Sequence, residues 1–227
     1  MLNYRPAFLV FALLSAGCAN LPSNLPAPSA GNAEKWEKSI AAFEAVDRKQ
    51  PPPQNGILFI GSSSIRLWET LASDFPELPV YNRGFGGSQI ADSLLFADRI
   101  VLPYRPRQIV MFAGSNDINA KKSPQQVLAD FVAFEKRIHA SLPETRITFI
   151  AITPCEKRWE QLADVDEANR LVSNFCRTDK RLDFVQTRSD FLGVDGRPRA
   201  ELFRQDQLHL SPEGYSIWTA KVRPFLR

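Results

Sequence analysis

The sequence contains only two histidines and lacks any block of consecutive lysines and arginines. Basic and acidic residues are interspersed along the chain, and the net charge is only +3. We therefore expect no basic surface stripe and no nucleic-acid partner. Two histidines without a close acidic cluster also offer few ligands for a metal centre. There is no internal repeat, and 227 residues suffice for one sizeable domain with little left for a second.

The N-terminus differs in composition from the rest of the chain. Arg5 precedes the apolar residues 8–14, and the small residues 15–17 lead to Cys18. This order predicts a signal peptide over residues 1–17, which is too short for a stable membrane span. Residues 14–18 also resemble a bacterial lipobox, whose cysteine is lipidated after cleavage, although Ser15 stands where leucine is usual. We expect an envelope lipoprotein anchored through Cys18, in the periplasm or at the outer membrane; the alternative is a secreted protein with an incidental cysteine.

A segment rich in proline, serine and alanine follows Cys18. Residues 18–31 show no periodicity, which predicts a flexible tether between the anchor and a folded domain over residues 32–227. Within that domain Cys155 and Cys176 form an even pair in a compartment that is expected to be oxidising. A disulfide and two buried thiols are both compatible with this pattern.

Five short segments, of which residues 57–60 are fully apolar, predict strands, and longer stretches with helical spacing predict helices between them. The strands are expected at residues 57–60, 80–82, 108–113, 146–152 and 182–185. The helices are expected at residues 33–49, 88–102, 124–141, 160–179 and 212–226. Strands that alternate with helices form a parallel sheet through right-handed crossovers. The fold class is therefore α/β, a three-layer α/β/α sandwich around a five-stranded parallel sheet, with its site beyond the carboxyl ends of the strands.

Polar side chains follow the first and third strands and recur near the C-terminus. Serine hydrolysis requires a hydroxyl nucleophile, an imidazole base, a carboxylate that orients it, and donors for an oxyanion. Residues 62–64 supply serines and Asn116 supplies an amide. Asp206 and His209 are three residues apart, so a helical turn or a tight loop places both on one side, where the carboxylate can fix the ring tautomer. Gly87 lacks a Cβ, which lets the backbone approach an oxyanion.

Each of these motifs also has a structural alternative. The serines could cap the helix that follows them. The glycine-rich residues 84–87 could form a turn or a phosphate cradle, although Gly-Phe-Gly-Gly is not the dinucleotide-binding pattern. Asn116 and Asp117 could form an Asx turn. Asp117 could also join Asp206 and His209 in a metal site, which the scarcity of histidine disfavours.

Four short motifs follow one another along the chain: Phe59-Ile60-Gly61-Ser62-Ser63, Asn82-Arg83-Gly84-Phe85-Gly86-Gly87, Gly114-Ser115-Asn116-Asp117 and Asp206-Gln207-Leu208-His209. In this order they resemble blocks one, two, three and five of the SGNH, or GDSL-type, hydrolases, over about residues 55–220. The resemblance implies a flavodoxin-like fold and ester hydrolysis. By position it implies Ser63 as the nucleophile, His209 as the base and Asp206 as its carboxylate. It also implies an oxyanion hole formed by Ser63, Gly87 and Asn116.

One position departs from the family pattern, because Ser62 stands where an aspartate usually precedes the nucleophile. That aspartate is not a triad member, so the departure concerns bonding within the loop rather than the reaction. Ser62 and Ser64 are competing nucleophiles, although alignment on Gly61 favours Ser63. The ordinary α/β-hydrolase elbow fits less well, because Gly-x-Ser-x-Gly would require glycine where Ile65 stands.

The resemblance implies a serine esterase that acts through an acyl-serine intermediate, without cofactor or metal. Its substrates would be lysophospholipids, short-chain esters or acetylated sugars, and its other partner would be the membrane that holds the lipid anchor. The sequence indicates no oligomeric state. Two other functions are compatible with the same motifs, namely a non-catalytic, ligand-binding envelope lipoprotein and an acyltransferase on the same fold.

Overall fold

The computed structural model describes residues 24–227, so the predicted signal peptide and Cys18 lie outside the described residues. Over this range the backbone forms a parallel sheet with helices packed on both of its faces. None of the helices formed by residues 24–227 combines the length and the apolar composition that crossing a bilayer requires.

Five parallel strands form the sheet, in the spatial order β2-β1-β3-β4-β5. The strands are β1 (Ile57–Gly61), β2 (Val80–Gly84), β3 (Gln108–Phe112), β4 (Arg146–Ile150) and β5 (Leu182–Val185). This is the flavodoxin-like order, so the predicted α/β fold with three layers is confirmed. The direction of winding reverses between β1 and β3, and sheets of this kind bind ligands beyond the carboxyl ends of the strands at that point.

Side chains along each strand alternate between two apolar cores. Leu58 and Ile60 of β1 face one core, whereas Ile57 and Phe59 face the other, and all four are fully buried. Burying one such side chain stabilises the fold by about 1.5–3 kcal/mol. A strand that is covered on both faces has no polar face, which explains why the central strand β1 is an almost unbroken apolar run in the sequence.

The helices divide between the two cores. One core is covered by α1 (Ala33–Lys49), α4 (Ile90–Leu95), α5 (Ala97–Ile100), α7 (Pro124–Ser141) and α8 (Leu162–Cys176). The other core is covered by α2 (Ser63–Arg66), α3 (Leu71–Asp74) and α9 (Pro212–Val222). The short helix α6 (Ser115–Asn119) follows β3 at the carboxyl edge of the sheet.

The helix predicted over residues 88–102 is wrong in its continuity, because the structure has the two short helices α4 and α5 there. The backbone at Phe96 leaves helical geometry, with φ −97° and ψ 6°. The break places the Phe96 ring in the core, edge-on to Phe85 with 6.3 Å between the ring centroids. Packing of this ring therefore overrides the helical spacing of the sequence.

Two other helices are shorter than predicted, whereas α1 and α7 have the predicted bounds. The helix predicted over residues 160–179 begins only at Leu162, after a 3₁₀ segment that is distorted at Arg158, where φ is −126° and ψ is 26°. The last helix ends at Val222, since Pro224 has no N–H to continue the helical hydrogen bonds.

The described part of the predicted tether lies against the domain. The backbone N–H of Ser29 donates to Asp130 Oδ1 at 2.6 Å. Gly31 passes so close to α4 that an added Cβ would lie 2.8 Å from the carbonyl oxygen of Ala91. Residues 24–31, which we call the strap, are therefore bound along α4 and α7 instead of extending away from them.

Cys155 and Cys176 do not form a disulfide. Both thiols are free, and both side chains are buried. Burial raises the pKa of each thiol, and that of Cys176 reaches about 12. Of the two arrangements compatible with the sequence, the structure has the pair of buried thiols.

Candidate active site

A sharp turn between β1 and α2 carries Ser63. Gly61 ends β1 with φ +135°, and a Cβ at this position would overlap the carbonyl oxygen of Phe112, so only glycine fits. The Ser62 N–H donates to that same carbonyl oxygen at 3.0 Å, and Ser63 is then the first residue of α2. Because the first N–H groups of a helix have no intrahelical partner, the Ser63 N–H is available to an acceptor in the site.

Asp206 and His209 lie on the two sides of a tight turn. Gln207 between them adopts φ 55°, in the left-handed region. Asp206 Oδ1 accepts from the backbone N–H groups of Leu208 at 3.0 Å and His209 at 2.9 Å. The other carboxylate oxygen, Oδ2, lies 2.6 Å from His209 Nδ1. Of the two arrangements expected for this spacing, the tight loop is the one observed.

The imidazole of His209 connects this turn to Ser63. Its Nε2 atom lies 2.8 Å from Ser63 Oγ. Because Nδ1 faces a carboxylate, which can only accept, the ring proton belongs on Nδ1, and Nε2 accepts from the serine hydroxyl. Burial alone would raise the pKa of Asp206, but the hydrogen bonds from the His209 ring and from two backbone N–H groups outweigh it and lower the pKa to about 2. Asp206 is therefore ionised at neutral pH.

Asn116 lies in the first turn of α6, just beyond β3. Its Nδ2 group donates to the carbonyl oxygen of Ser88 at 3.0 Å, and the Ser88 hydroxyl donates to the carbonyl oxygen of Gly61 at 3.1 Å. The segments that follow β1, β2 and β3 are thereby joined by hydrogen bonds at one edge of the sheet. Ser88 was not singled out in the sequence, although it directly follows the glycine-rich motif.

Gly87 precedes Ser88 in the loop between β2 and α4. It adopts φ +83°, in the left-handed region that favours glycine. A Cβ here would lie 3.4 Å from the ring of Trp36, so α1 packs directly on this loop. The next turn is held by Asp92, whose carboxylate accepts from the Gln89 N–H at 2.8 Å. The use of the Gly87 N–H as an oxyanion donor stays a prediction.

Asp117 is fully buried and packs beneath the loop between β2 and α4, on the side of that loop that faces α6. Its carboxylate accepts from Lys122 Nζ at 3.1 Å and faces the N–H of Ile90 at 3.3 Å. Lys122 also bonds to Asp130 at 2.8 Å. Burial raises the pKa of Asp117, although Lys122 opposes the rise. These contacts join α6 to the start of α4 and leave Asp117 outside the metal arrangement that the sequence left open.

Arg158 reaches the site from the 3₁₀ segment between β4 and α8, and the sequence analysis missed it. Its Nη1 group donates to Ser115 Oγ at 2.7 Å and its Nη2 group to Asn116 Oδ1 at 2.9 Å. No motif surrounds this arginine. The only signal in the sequence is its position shortly after the carboxyl end of β4, at the edge where sites of this fold lie.

A cavity of about 20 Å³ opens beside the nucleophile position. Its polar walls include Ser63, Asn116, Thr153, Cys155, Arg158 and His209. Thr153 Oγ1 is buried and has no hydrogen-bond partner within residues 24–227. Since a water molecule needs about 10–15 Å³ of such volume, the cavity has room for one small group.

A second group of side chains with metal-ligand spacing lies near the amino end of β4 and consists of Glu135, His139 and Asp179. The two ring nitrogens of His139 are 2.5 Å from Glu135 Oε1 and 2.9 Å from the carbonyl oxygen of Thr145. Asp179 is bonded to Arg181. Each of the three side chains thus has a partner of its own, and the group lies at the edge of the sheet opposite to the one that carries Ser63.

Comparison with known proteins identifies relatives of this arrangement. The model of the GDSL-like Lipase/Acylhydrolase family matches residues 61–217. A Streptococcus pneumonia protein, provisionally described as a platelet activating factor, has a TM-score of 0.75 and 22% identity, and covers 86% of this chain and 94% of its own. A GDSL-like lipase from Bacteroides thetaiotaomicron has a TM-score of 0.66 and 16% identity, with 86% and 96% covered.

A third solved structure is a catalytic mutant of an acetylxylan esterase from Geobacillus stearothermophilus. It has a TM-score of 0.62 and 16% identity, and covers 75% of this chain and 94% of its own. At these identities the solved structures establish the fold. No curated protein sequence matches the chain.

Proposed function

The chain belongs to the GDSL-like lipase/acylhydrolase family, and from that premise we propose that it is a serine esterase that cleaves carboxylic esters through an acyl-serine intermediate. The observation that carries this proposal is the continuous hydrogen-bonded chain from Asp206 through His209 to Ser63. Membership of the family supports ester hydrolysis in general. Ligand binding without catalysis does not require hydrogen bonds that link a carboxylate, an imidazole and a serine hydroxyl, so these bonds favour an enzyme.

In the first half of the reaction, Ser63 Oγ attacks the ester carbonyl carbon while His209 Nε2 takes the hydroxyl proton. The carbonyl electrons move onto the oxygen, and the resulting oxyanion is stabilised by the N–H groups of Ser63 and Gly87 and by the Asn116 amide. The tetrahedral carbon then expels the alkoxy group, which takes the proton from His209. An acyl-serine and a free alcohol result.

In the second half, a water molecule gives its proton to His209 and attacks the acyl carbon. The second tetrahedral intermediate uses the same oxyanion donors and collapses by breaking the bond to Ser63 Oγ, which recovers its proton from the imidazolium. The products are the carboxylic acid and the restored serine. Asp206 remains ionised throughout, because its pKa lies near 2, and it stabilises the imidazolium that forms in each half.

The preferred acyl group in this proposal is short. The cavity beside Ser63 measures about 20 Å³, little more than the space that one water-sized group needs, which favours a small acyl group such as acetyl. Phe112, Leu210 and Trp218 also line it, and all three are buried. The structural similarity to an acetylxylan esterase also favours a short acyl group. Among the implied substrates, short-chain esters and acetylated sugars therefore fit better than lysophospholipids.

A panel of esters tests the proposal. The purified protein and its Ser63→Ala variant are assayed with p-nitrophenyl esters from acetate to dodecanoate, acetylated xylo-oligosaccharides and a lysophospholipid. We expect turnover only with the serine present, and kcat/KM should be highest for acetyl. Equal activity of the two proteins would exclude the esterase, and a kcat/KM that rises with chain length would exclude the short acyl group. Acyl transfer to added alcohol in place of water would identify a transferase.

The localisation that we propose is the bacterial cell envelope, with the domain anchored by a lipid on Cys18. The support comes from the sequence, namely the apolar residues 8–14, the small residues before Cys18 and Ala19 after it, which is typical of outer-membrane lipoproteins. Expression in a bacterial host should give a membrane-bound form whose first residue is an acylated Cys18. Mass spectrometry that finds an unmodified N-terminus cleaved elsewhere would exclude the anchor.

A further inference from the structure

Arg158 contacts the oxyanion side of the site through its guanidinium group. Both of its side-chain hydrogen bonds go to α6, one to Ser115 Oγ at 2.7 Å and one to Asn116 Oδ1 at 2.9 Å. The guanidinium also lines the cavity that contains Ser63 and His209. It thus shares a cavity with the proposed nucleophile and base, although neither of those roles needs it.

The charge of Arg158 has no counter-ion in the part of the chain that the structure describes. Within residues 24–227 no carboxylate forms an ion pair with it, whereas Arg99, Arg181 and Arg188 each pair with an acidic side chain. The guanidinium is partly buried, and this burial lowers the pKa of Arg158. Burying a cation without a partner costs stability. A positive charge at this place therefore suits a group that becomes negative during turnover.

The contacts of Asn116 show how Arg158 acts. A guanidinium can only donate, so the side that faces Arg158 must be the amide oxygen. The NH₂ group then faces the carbonyl oxygen of Ser88, which takes one of its two hydrogens. A flipped amide would place donor against donor at Arg158 and acceptor against acceptor at Ser88. The two partners thus select the orientation that leaves one N–H for an oxyanion.

We propose that Arg158 is a positioning residue of the oxyanion hole, which orients the Asn116 amide and strengthens its N–H by placing a positive charge on its oxygen. This inference rests on the esterase function proposed above. A hydrogen bond from a charged donor polarises the amide, and polarised groups in a chain of hydrogen bonds strengthen one another. This stabilisation grows as negative charge develops on the substrate carbonyl oxygen, so it lowers the free energy of the transition state more than that of the bound substrate.

The segment that carries Arg158 is itself held in place from two sides. Arg197 forms an ion pair with Glu156, and its guanidinium lies 4.4 Å from the centroid of the Trp159 ring. The N–H of Lys157 donates to the carbonyl oxygen of Gln207 at 3.2 Å, within the turn that carries Asp206 and His209. Arg158 is therefore fixed relative to both the oxyanion side and the base side of the site.

The first test compares Arg158→Met and Arg158→Lys with the wild type on p-nitrophenyl acetate. Loss of a charged hydrogen bond made chiefly in the transition state should lower kcat by about 10- to 100-fold in Arg158→Met, with KM changed by no more than about twofold. Arg158→Lys keeps the positive charge but cannot donate to Ser115 and Asn116 with a planar guanidinium, so it should recover only part of kcat. Lys180→Met removes an exposed charge at the opposite edge of the sheet and should match the wild type.

A double-mutant cycle shows whether Arg158 acts through Asn116. In an Asn116→Ala background, Arg158→Met should cost less than about threefold in kcat, because the amide that it orients is gone. An equal loss in both backgrounds, a loss confined to KM, or no loss at all would each overturn the proposal. Thermal unfolding of each variant separates these results from loss of fold. Failure of the esterase proposal would show itself differently, as Ser63→Ala retaining the turnover of the wild type.

Discussion

Ser63 Oγ and His209 Nε2 lie 2.8 Å apart, although 146 positions separate them in the sequence. Neither neighbouring serine has such a contact. The Ser62 N–H is engaged with Phe112, and the carbonyl oxygen of Ser64 accepts from the hydroxyl of Tyr215 at 2.8 Å. Those contacts tie down the backbone on each side of Ser63, so the turn presents one hydroxyl to the imidazole.

The first prediction concerns the identity of the nucleophile. Ser63→Ala should abolish nearly all ester turnover and leave the fold intact, with a residual rate of at most about 10³–10⁴-fold over water from the oxyanion donors and binding. Ser62→Ala and Ser64→Ala are the matched controls and should keep most activity. Steady-state kinetics on p-nitrophenyl acetate measures all three. Wild-type activity in Ser63→Ala, with loss in either neighbour, would show that the motif is aligned wrongly.

The second prediction concerns Asn116. Asn116→Ala should lower kcat by about 10²–10³ with little change in KM, because an oxyanion donor interacts chiefly with the transition state. Asn119→Ala provides the control, since Asn119 lies on the same helix but is exposed. An effect on KM alone would make Asn116 a ground-state binding residue.

The third prediction concerns Asp206 and the rate of reaction. Asp206→Asn should lower kcat by up to about 10⁴, because an amide at this position can favour the wrong tautomer of His209 and no longer stabilises the imidazolium. The backbone bonds to Leu208 and His209 can persist, since an amide oxygen accepts as a carboxylate does. Unchanged kcat would remove Asp206 from the triad.

The same variant yields a prediction on stability and pH. The fold lowers the pKa of Asp206 from 3.8 to about 2. A depressed pKa means that the carboxylate stabilises the fold above about pH 3.8, and that this contribution is lost as the pH falls through about 2. The difference in unfolding free energy between the wild type and Asp206→Asn should therefore shrink as the pH falls below 4. Urea titrations at pH 7, 5, 4 and 3 measure it, and a difference that grows on acidification would contradict the prediction.

Much of the fold follows from the sequence, because the central strands β1 and β3 are buried on both faces and are therefore visible as apolar runs. The two features that the sequence did not predict, the break between α4 and α5 and the distorted segment before α8, depend on tertiary contacts. The break at Phe96 comes from a ring turned into the core, and the distortion at Arg158 accompanies its contacts with Ser115 and Asn116. Helical spacing alone contains neither piece of information.

The candidate site divides in the same way. Residues in short motifs could be found, because Asp206 and His209 are local neighbours and Ser63 and Asn116 each follow a strand. Arg158 could not be found, since its partner Asn116 is 42 positions away and the sequence around it has no pattern. Its role depends on its contact with the Asn116 amide oxygen, and that contact is known only from the folded structure.

The fourth prediction concerns the two thiols. Because Cys155 and Cys176 are free and burial raises the pKa of both, they should react slowly with thiol reagents in the native protein. Dithiothreitol should leave the melting temperature unchanged, and Cys176→Ser should lower it only through lost packing. Mass spectrometry of the non-reduced protein provides the direct check. A mass lower by two hydrogens, with a peptide linking both cysteines, would contradict the structure.

The fifth prediction concerns the strap, residues 24–31, which the sequence placed in a flexible tether. The Ser29 N–H donates to Asp130, and Asp130 is linked through Lys122 to Asp117. The Asp117 carboxylate faces the N–H of Ile90, at the end of the loop that contains Gly87. A chain that begins at residue 32 should lose about 1–3 kcal/mol of unfolding free energy, because Asp130 is fully buried and loses a donor.

The matched control for this truncation begins at residue 24 and keeps every strap contact. Urea denaturation and steady-state kinetics of the two chains separate a passive tether from a bound strap. If the strap supports the loop that contains Gly87, and if Gly87 is an oxyanion donor as proposed, the shorter chain should show a lower kcat at a nearly unchanged KM, because such a donor acts chiefly on the transition state. Gly31→Val should have the same effect in the longer chain, because its side chain would collide with the carbonyl oxygen of Ala91 and lift the strap from α4. Equal stability and equal kcat in both chains would mean that residues 24–31 only connect the domain to whatever precedes it.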